Sequence, residues 1–414
     1  MADEVPVVPD ELDSFSLILP LPFRVAIILV LGVWAWGLNL HYLRAIKIDV
    51  PALIHYPGRS SATEPSHHLS TYRLASILTI PLAASLFLFW MITHGNQQAA
   101  LNWQILPNLY LLGLVATFVI PVHFLSRSGR YRTLSILRRI SIGGLAEPQN
   151  GKFGDILMAD VLTSYAKVLG DLFIALCMFF TPGKSSTGRP DRSCGGPWLI
   201  PLIIAIPSMI RLRQCLIEYY RVRASNQKTG TIGSHGWGGQ HLANALKYSS
   251  AFPVIALSAL QRGFDPAKIG LSETSLFRLW LLAVFVNSFY SFWWDVTKDW
   301  DLTLFSVSAT KDRNDPDHPF GLRKNRFFHV HEVYYAVIAI DLMLRCTWSL
   351  KLSPHLYHFN DLEGGIFMME LLEVFRRWVW IFFRVETEWV RNNRPPVPQE
   401  DVLLSDFGNK YEDE

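Results

Sequence analysis

The chain has 414 residues, 50% of them hydrophobic and only 18% charged, with a formal net charge of +3. Mean hydropathy is +0.20, high for a soluble protein, and several windows reach the roughly 20 apolar residues that cross a bilayer as a helix. So small a charge argues against nucleic acid as a partner.

The first 16 residues, "MADEVPVVPDELDSFS", are acidic and proline-containing and read as an amino-terminal tail without the basic start of a cleaved signal. Hydrophobic runs predict membrane helices near 17–42, 71–93, 104–125, 153–181, 198–220, 240–260, 275–297, 327–350 and 366–390. The expected fold is therefore all-α, a polytopic transmembrane helical bundle of eight to ten membrane helices. Pro81 and Pro121 suggest kinks or helix ends.

Residues 17–150 hold plain apolar helices and a basic loop, and from 151 to 390 every helix carries ionisable residues. The remaining 391–414 reads as a disordered tail. "SRSGRYRTLSILRR", Ser126–Arg139, is strongly basic. Because cytosolic loops are enriched in Lys and Arg, 43–70, 126–152, 221–239, 298–326 and the tail are assigned to the cytosol, and nine helices then put the amino terminus on the other side. "TPGKSSTGRPDRSCGGP" and "NQKTGTIGSHGWGGQ" read as flexible loops. The first contains Gly-Lys-Ser but has Met178 where a phosphate-binding loop needs its first glycine, and it follows an apolar helix rather than a strand. His67–His68 reads as loop. Cys177, Cys194, Cys215 and Cys346 show no CxxC spacing and read as small buried hydrophobes.

The later helices share a pattern. In "EVFRRWVWIFFRVETEW", a 3.6-residue period puts Glu373, Arg376, Arg377, Arg384 and Glu388 on one stripe, with Phe375, Trp378, Val379, Phe382 and Val385 opposite. Asp160, Thr163, Ser164, Lys167 and Asp171 share a face. So do Ser208, Arg211, Gln214, Cys215 and Glu218, and likewise Ser288, Ser291, Asp295 and Asp299. Asn244 sits one turn from Lys247 and Tyr248, and Asp341, Arg345 and Trp348 align. Charge at membrane depth costs at least a few kcal/mol per residue and therefore faces a bundle interior or a water-filled cavity. Six such stripes predict one polar pathway. Its guanidinium groups suit an oxyanion such as phosphate, and its acids would hold the cations in place and keep binding weak enough for release. Taken singly, Asp341 with Arg345 reads as a structural salt bridge. A metal at Asp295, Asp299 and Asp301, or at "HVHE", lacks a matching second motif. No metal, cofactor or enzymatic activity is expected.

"RLRQCLIEYYR", "NALKYSSAFPV", "FYSFWWDVTKDWDL", "AIDLMLRCTWSL" and "EVFRRWVWIFFRVETEW" together resemble the EXS-domain family, which includes eukaryotic phosphate exporters and the fungal ER-retention-defective proteins of the Golgi. The resemblance covers most of 150–390. The exporters carry an SPX domain before the membrane part, and here the first predicted membrane helix begins near residue 17, so the Golgi branch is the better match. That branch implies a multi-pass Golgi membrane protein returning inorganic phosphate from lumen to cytosol, supporting glycosylation and the retention of glycosyltransferases and ER proteins.

By motif, the resemblance assigns phosphate binding to Arg211, Lys247, Tyr248, Arg345, Arg376 and Arg377. It assigns the pathway or its gate to Asp160, Asp295, Asp299, Trp348 and Glu373, and to Thr163, which stands where the exporters have asparagine. The expected partners are inorganic phosphate and membrane lipids, with Golgi glycosyltransferases or their sorting adaptors besides and self-association as a homodimer allowed. The competing reading is a membrane sorting receptor for glycosyltransferases without transport activity.

Overall fold

Pro20 ends a first short helix, α1 (Ser14–Ile18), and caps a long one, α2 (Leu21–Ala45). Pro22 stands in the opening turn of α2, where its missing N–H has no partner to lose. The computed structural model describes residues 12–56, 66–120, 127–229, 236–263, 272–305, 319–323, 325–328, 330–347 and 363–393. Within them the chain is helical, without strands.

After α2 come α3 (Val50–Leu53), α4 (His67–Thr93), α5 (Gln97–Asn102), α6 (Ile105–Val119) and α7 (Arg127–Arg138). The basic stretch expected as a loop is therefore the helix α7. His67 and His68, also expected as loop, form the first residues of α4. Pro81 lies inside α4 without ending it, and Pro121 lies outside the described residues. The charged half follows: α8 (Lys152–Ser164), α9 (Ala166–Phe180), α10 (Leu199–Thr229), α11 (Gly239–Ser249), α12 (Ala251–Arg262), α13 (Glu273–Trp294), α14 (His331–Arg345) and α15 (Glu363–Asn392).

Among the described residues five helical stretches are long and apolar enough to cross a membrane: 21–45, 67–93, 97–119, 199–228 and 273–299. The bent pair α8–α9 makes a sixth if it counts as one span. Length and composition thus support five or six of the eight to ten spans expected. The difference lies in the amphipathic, charge-bearing or divided segments α11–α12, α14 and α15. Large apolar side chains such as Ile80, Leu109, Phe180 and Leu282 are exposed on the outer surface, as a lipid-facing wall requires.

The chain breaks where the charges are. α8 and α9 meet at Tyr165 with a 62° bend, and the Tyr165 ring packs on α2 at Gly32. There a Cβ would come within 2.1 Å of the tyrosine oxygen, so only glycine admits the approach. α11 and α12 part at Ser250, three residues before Pro253, which cannot donate to the Ser249 carbonyl. α13 runs into a single π-helical turn, Asp295–Asp299, a distortion common at functional sites.

Two apolar cores hold these pieces. One packs Phe23, Ile28, Phe89, Leu111, Val168 and Ile174 from α2, α4, α6 and α9. The other packs Leu43, Ile48, Trp300, Tyr334, Trp380 and Val385 around the opposite end of α2. Val385, on the apolar side of α15 opposite the charged stripe, is fully buried in this core.

The segment between α9 and α10, expected as a flexible loop, is pinned. Cys177 and Cys194 form a disulfide with Cα atoms 6.2 Å apart, which corrects their reading as free buried thiols. The segment folds back over the end of α9 and so brings together cysteines 17 residues apart. Cys215 and Cys346 are free. Arg192 of this segment donates two bonds to Glu363 at 2.7 and 3.2 Å. Glu363 also accepts from Arg24 at 2.7 Å, so α2, the disulfide segment and the start of α15 are tied at one point. Disulfides persist in oxidising compartments, so a bond here is compatible with the non-cytosolic side expected for this end from the basic segments.

Candidate functional site

Five cations and five carboxylates meet inside the charged half, contributed by α8, α10, α11, the π turn, α14 and α15. On α8, Asp160 accepts from Arg211 Nε at 2.7 Å and from the Tyr248 hydroxyl at 2.5 Å. Arg211 also donates to Gln214 at 2.5 Å and lies over the Tyr248 ring at 4.8 Å. One residue before Tyr248, Lys247 donates to Asp295 at 2.9 Å and to Asp299 at 3.3 Å.

Asp295 is fully buried and passes the network on. Its second oxygen accepts from Arg345 and lies 3.6 Å from Arg376 Nη1. Asp341 bridges the same two guanidiniums, at 3.1 Å from Arg345 Nε and 2.9 Å from Arg376 Nη1. Arg376 in turn grips Glu373 with two bonds of 2.9 and 2.7 Å.

Arg377 is held differently. Its Nε donates to the Ser164 hydroxyl at 2.8 Å and its Nη2 to the Thr163 hydroxyl at 3.2 Å, while its guanidinium lies over the Trp380 ring at 4.5 Å. Ser164 donates its own hydroxyl hydrogen bond to Glu373 at 2.6 Å, and Thr163 donates to the Asp160 carbonyl at 2.7 Å. Among the described residues Arg377 is the one cation of the five with no carboxylate partner.

The arrangement is closed on charge, with Arg211, Lys247, Arg345, Arg376 and Arg377 set against Asp160, Asp295, Asp299, Asp341 and Glu373. Arg376, Arg377, Arg211 and Lys247 are buried, and the widest opening is at Glu373, whose side chain is 38% exposed. Pairing makes the ionised groups tolerable at this depth. An arriving oxyanion would find donors on Arg377 directly and on the other cations by exchange with a carboxylate. Broken helices are the usual means of turning backbone and side chains toward an ion in a membrane interior, and every break described above carries residues of this network.

Of the sequence-derived site, Asp160, Thr163, Arg211, Lys247, Tyr248, Asp295, Asp299, Arg345, Glu373, Arg376 and Arg377 are brought together. Trp348 lies outside the described residues. Three members were on the predicted stripes without being chosen for the site: Ser164, Gln214 and Asp341. Asp341 does pair with Arg345 one turn away, and it also reaches Arg376 on another helix, which no local spacing reveals.

Other stripe members go elsewhere. The bend at Tyr165 turns Lys167 away to Glu370 at 3.5 Å, and Asp171 follows it on α9. Arg384 pairs with Glu388 at 2.9 Å and covers the Phe153 ring. Glu218 pairs with Lys152 at 2.5 Å.

The EXS family model matches residues 19–390. Protein ERD1 homolog 1 of Schizosaccharomyces pombe is 33% identical over 386 residues, covering 92% of this chain and 93% of its own length. Protein ERD1 homolog 2 of the same organism is 28% identical, covering 89% and 96%. Solute carrier family 53 member 1 of Mus pahari is 28% identical over 302 residues, which are 69% of this chain and 39% of the longer relative. The helical architecture, the order of the charged motifs and these matches lead to one conclusion: this membrane protein belongs to the EXS family.

Proposed function

We propose that this protein moves inorganic phosphate across the Golgi membrane from lumen to cytosol. The observation that carries the reading is Arg377: a buried guanidinium without a carboxylate, positioned by two hydroxyls, at the centre of a network that pairs every other cation. A phosphate oxygen takes the unused donors of Arg377 first. It then competes with Glu373 and Asp341 for Arg376, and with Asp295 for Arg345 and Lys247. Tyr248 serves as a neutral donor when Asp160 turns fully to Arg211. The five carboxylates return to their cations as phosphate leaves, which keeps the affinity moderate and the passage reversible. No bond is made or broken, so the reading is of a transporter and not an enzyme. The sequence resemblance to phosphate exporters and the solute-carrier relative support it.

On this reading, retention of Golgi glycosyltransferases follows from removal of the phosphate that glycosylation releases. The test is efflux of radiolabelled phosphate preloaded into sealed Golgi vesicles, prepared with and without the protein. Faster efflux with the protein is expected. Equal efflux, with glycosyltransferase retention still dependent on the protein, would favour a sorting receptor instead.

A further inference from the structure

At the other end of α2, a cavity of about 550 Å³ opens against α3 and the start of α4. Its polar lining includes Arg44, Lys47, Asp49, Tyr56, His67 and His68. The single carboxylate is engaged as the cap of α3, where Asp49 accepts from the Ala52 amide at 3.3 Å. Arg44 and Lys47 meet no carboxylate within 4.0 Å among the described residues. Among the described residues the lining therefore carries net positive charge, two cations against one carboxylate.

The backbone at Lys47 adds a second observation. α2 ends with the Lys47 amide bonded to the Arg44 carbonyl and the Ile48 amide bonded to the Leu43 carbonyl, both at 2.9 Å. This pairing needs a left-handed residue between the two bonds, a place normally taken by glycine. Lys47 stands there with φ of 65°. A side chain costs stability at such a φ, and backbone of this kind gathers at functional sites. Here the residue that departs from glycine supplies a cation to the cavity.

Location narrows the ligand. The 25 residues of α2 separate the cavity from the disulfide-pinned end by roughly 37 Å, about the depth of a bilayer with its interfaces. The basic helix α7 adjoins it: Arg132 donates to the His55 carbonyl at 2.6 Å, and Gly129 lies against the Tyr56 hydroxyl. Leu69, which follows His68 of the lining on α4, is exposed and offers an apolar surface for an acyl chain.

We propose that this cavity binds the phosphorylated headgroup of an anionic lipid in the cytosolic leaflet. The Arg44 fork and the Lys47 ammonium take phosphate oxygens, and the apolar outer surface of α4 takes the tails. The inference is independent of phosphate transport.

Native mass spectrometry of the purified full chain, with phosphatidylinositol 4-phosphate and phosphatidylcholine as probes, tests it. The parent should retain the phosphorylated lipid at least tenfold better than phosphatidylcholine. Lys47→Gly should lower that retention at least tenfold while melting at or above the parent temperature, since glycine suits the backbone. Equal retention of the two lipids, or undiminished retention by Lys47→Gly, would overturn the proposal. Displacement of the lipid by equimolar inositol 1,4-bisphosphate would reassign the site to a soluble phosphate ester and overturn the lipid.

Discussion

Arg376 and Arg377 are neighbours in sequence and should fail in opposite ways. Arg376 contacts three carboxylates, with bonds of 2.7 to 2.9 Å to Glu373 and Asp341 and a 3.6 Å approach to Asp295. Its removal leaves buried charge uncompensated, which costs about 3–5 kcal/mol. That is a large part of the stability of a folded domain, commonly about 5–15 kcal/mol. Arg377 donates only to hydroxyls, which already have acceptors of their own in Glu373 and the Asp160 carbonyl, and otherwise lies over the Trp380 ring. Arg377→Ala should therefore leave the melting temperature near that of the parent. It removes at least one charge-assisted hydrogen bond to phosphate, about 1.5–3 kcal/mol, a loss of roughly 10- to 150-fold in affinity. Equilibrium binding of radiolabelled phosphate and thermal melting of the detergent-purified variants would measure both. An Arg377→Ala protein that melts as early as Arg376→Ala, or that binds phosphate like the parent, would refute the division of labour.

Two further outcomes follow from the geometry. Tyr248→Phe removes the 2.5 Å bond to Asp160 but leaves Asp160 paired with Arg211, so the variant should fold and lose about 1.5 kcal/mol of phosphate binding, roughly tenfold; unchanged affinity on titration would remove Tyr248 from the site. In the disulfide segment, the Lys184 ammonium and the hydroxyl and amide of Ser193 hold Asp191 down from 3.8 to about 2. A lowered carboxyl stabilises the fold above its unfolded value and loses that contribution as pH falls through the folded one. Hydrogen exchange across 184–193 should thus stay flat from pH 7 to about 4, after correction for intrinsic rates, and accelerate between 4 and 2; acceleration already at pH 6 would contradict the assignment.

Much of the charged network was legible because buried charge in an apolar helix is conspicuous and a 3.6-residue period fixes its direction. Direction is not depth. Arg384 shares a stripe with Arg377 but lies seven residues on, about 10 Å along the axis, and so it packs on Phe153 outside the network. Nor does periodicity survive a break: the bend at Tyr165 divides Asp160 and Thr163 from Lys167 and Asp171, and the packing of Tyr165 on Gly32 that accompanies it is tertiary. The role of Asp341 depends on α15 lying across α14. The Cys177–Cys194 bond joins a helix to the segment beyond it, a pairing that no short spacing announces. Length and composition recover five or six of the expected spans, because amphipathic, charge-bearing helices such as α14 and α15 fail a test of apolarity whatever their surroundings.

The central claim is that phosphate crosses through the ring containing Arg377. Radiolabelled phosphate uptake into proteoliposomes holding the purified protein, beside Arg377→Ala reconstituted at the same density, tests it most directly. The account predicts saturable uptake in the parent and a loss of at least tenfold in the variant at phosphate concentrations below saturation. Equal uptake in the two, or none in a folded parent, would contradict it.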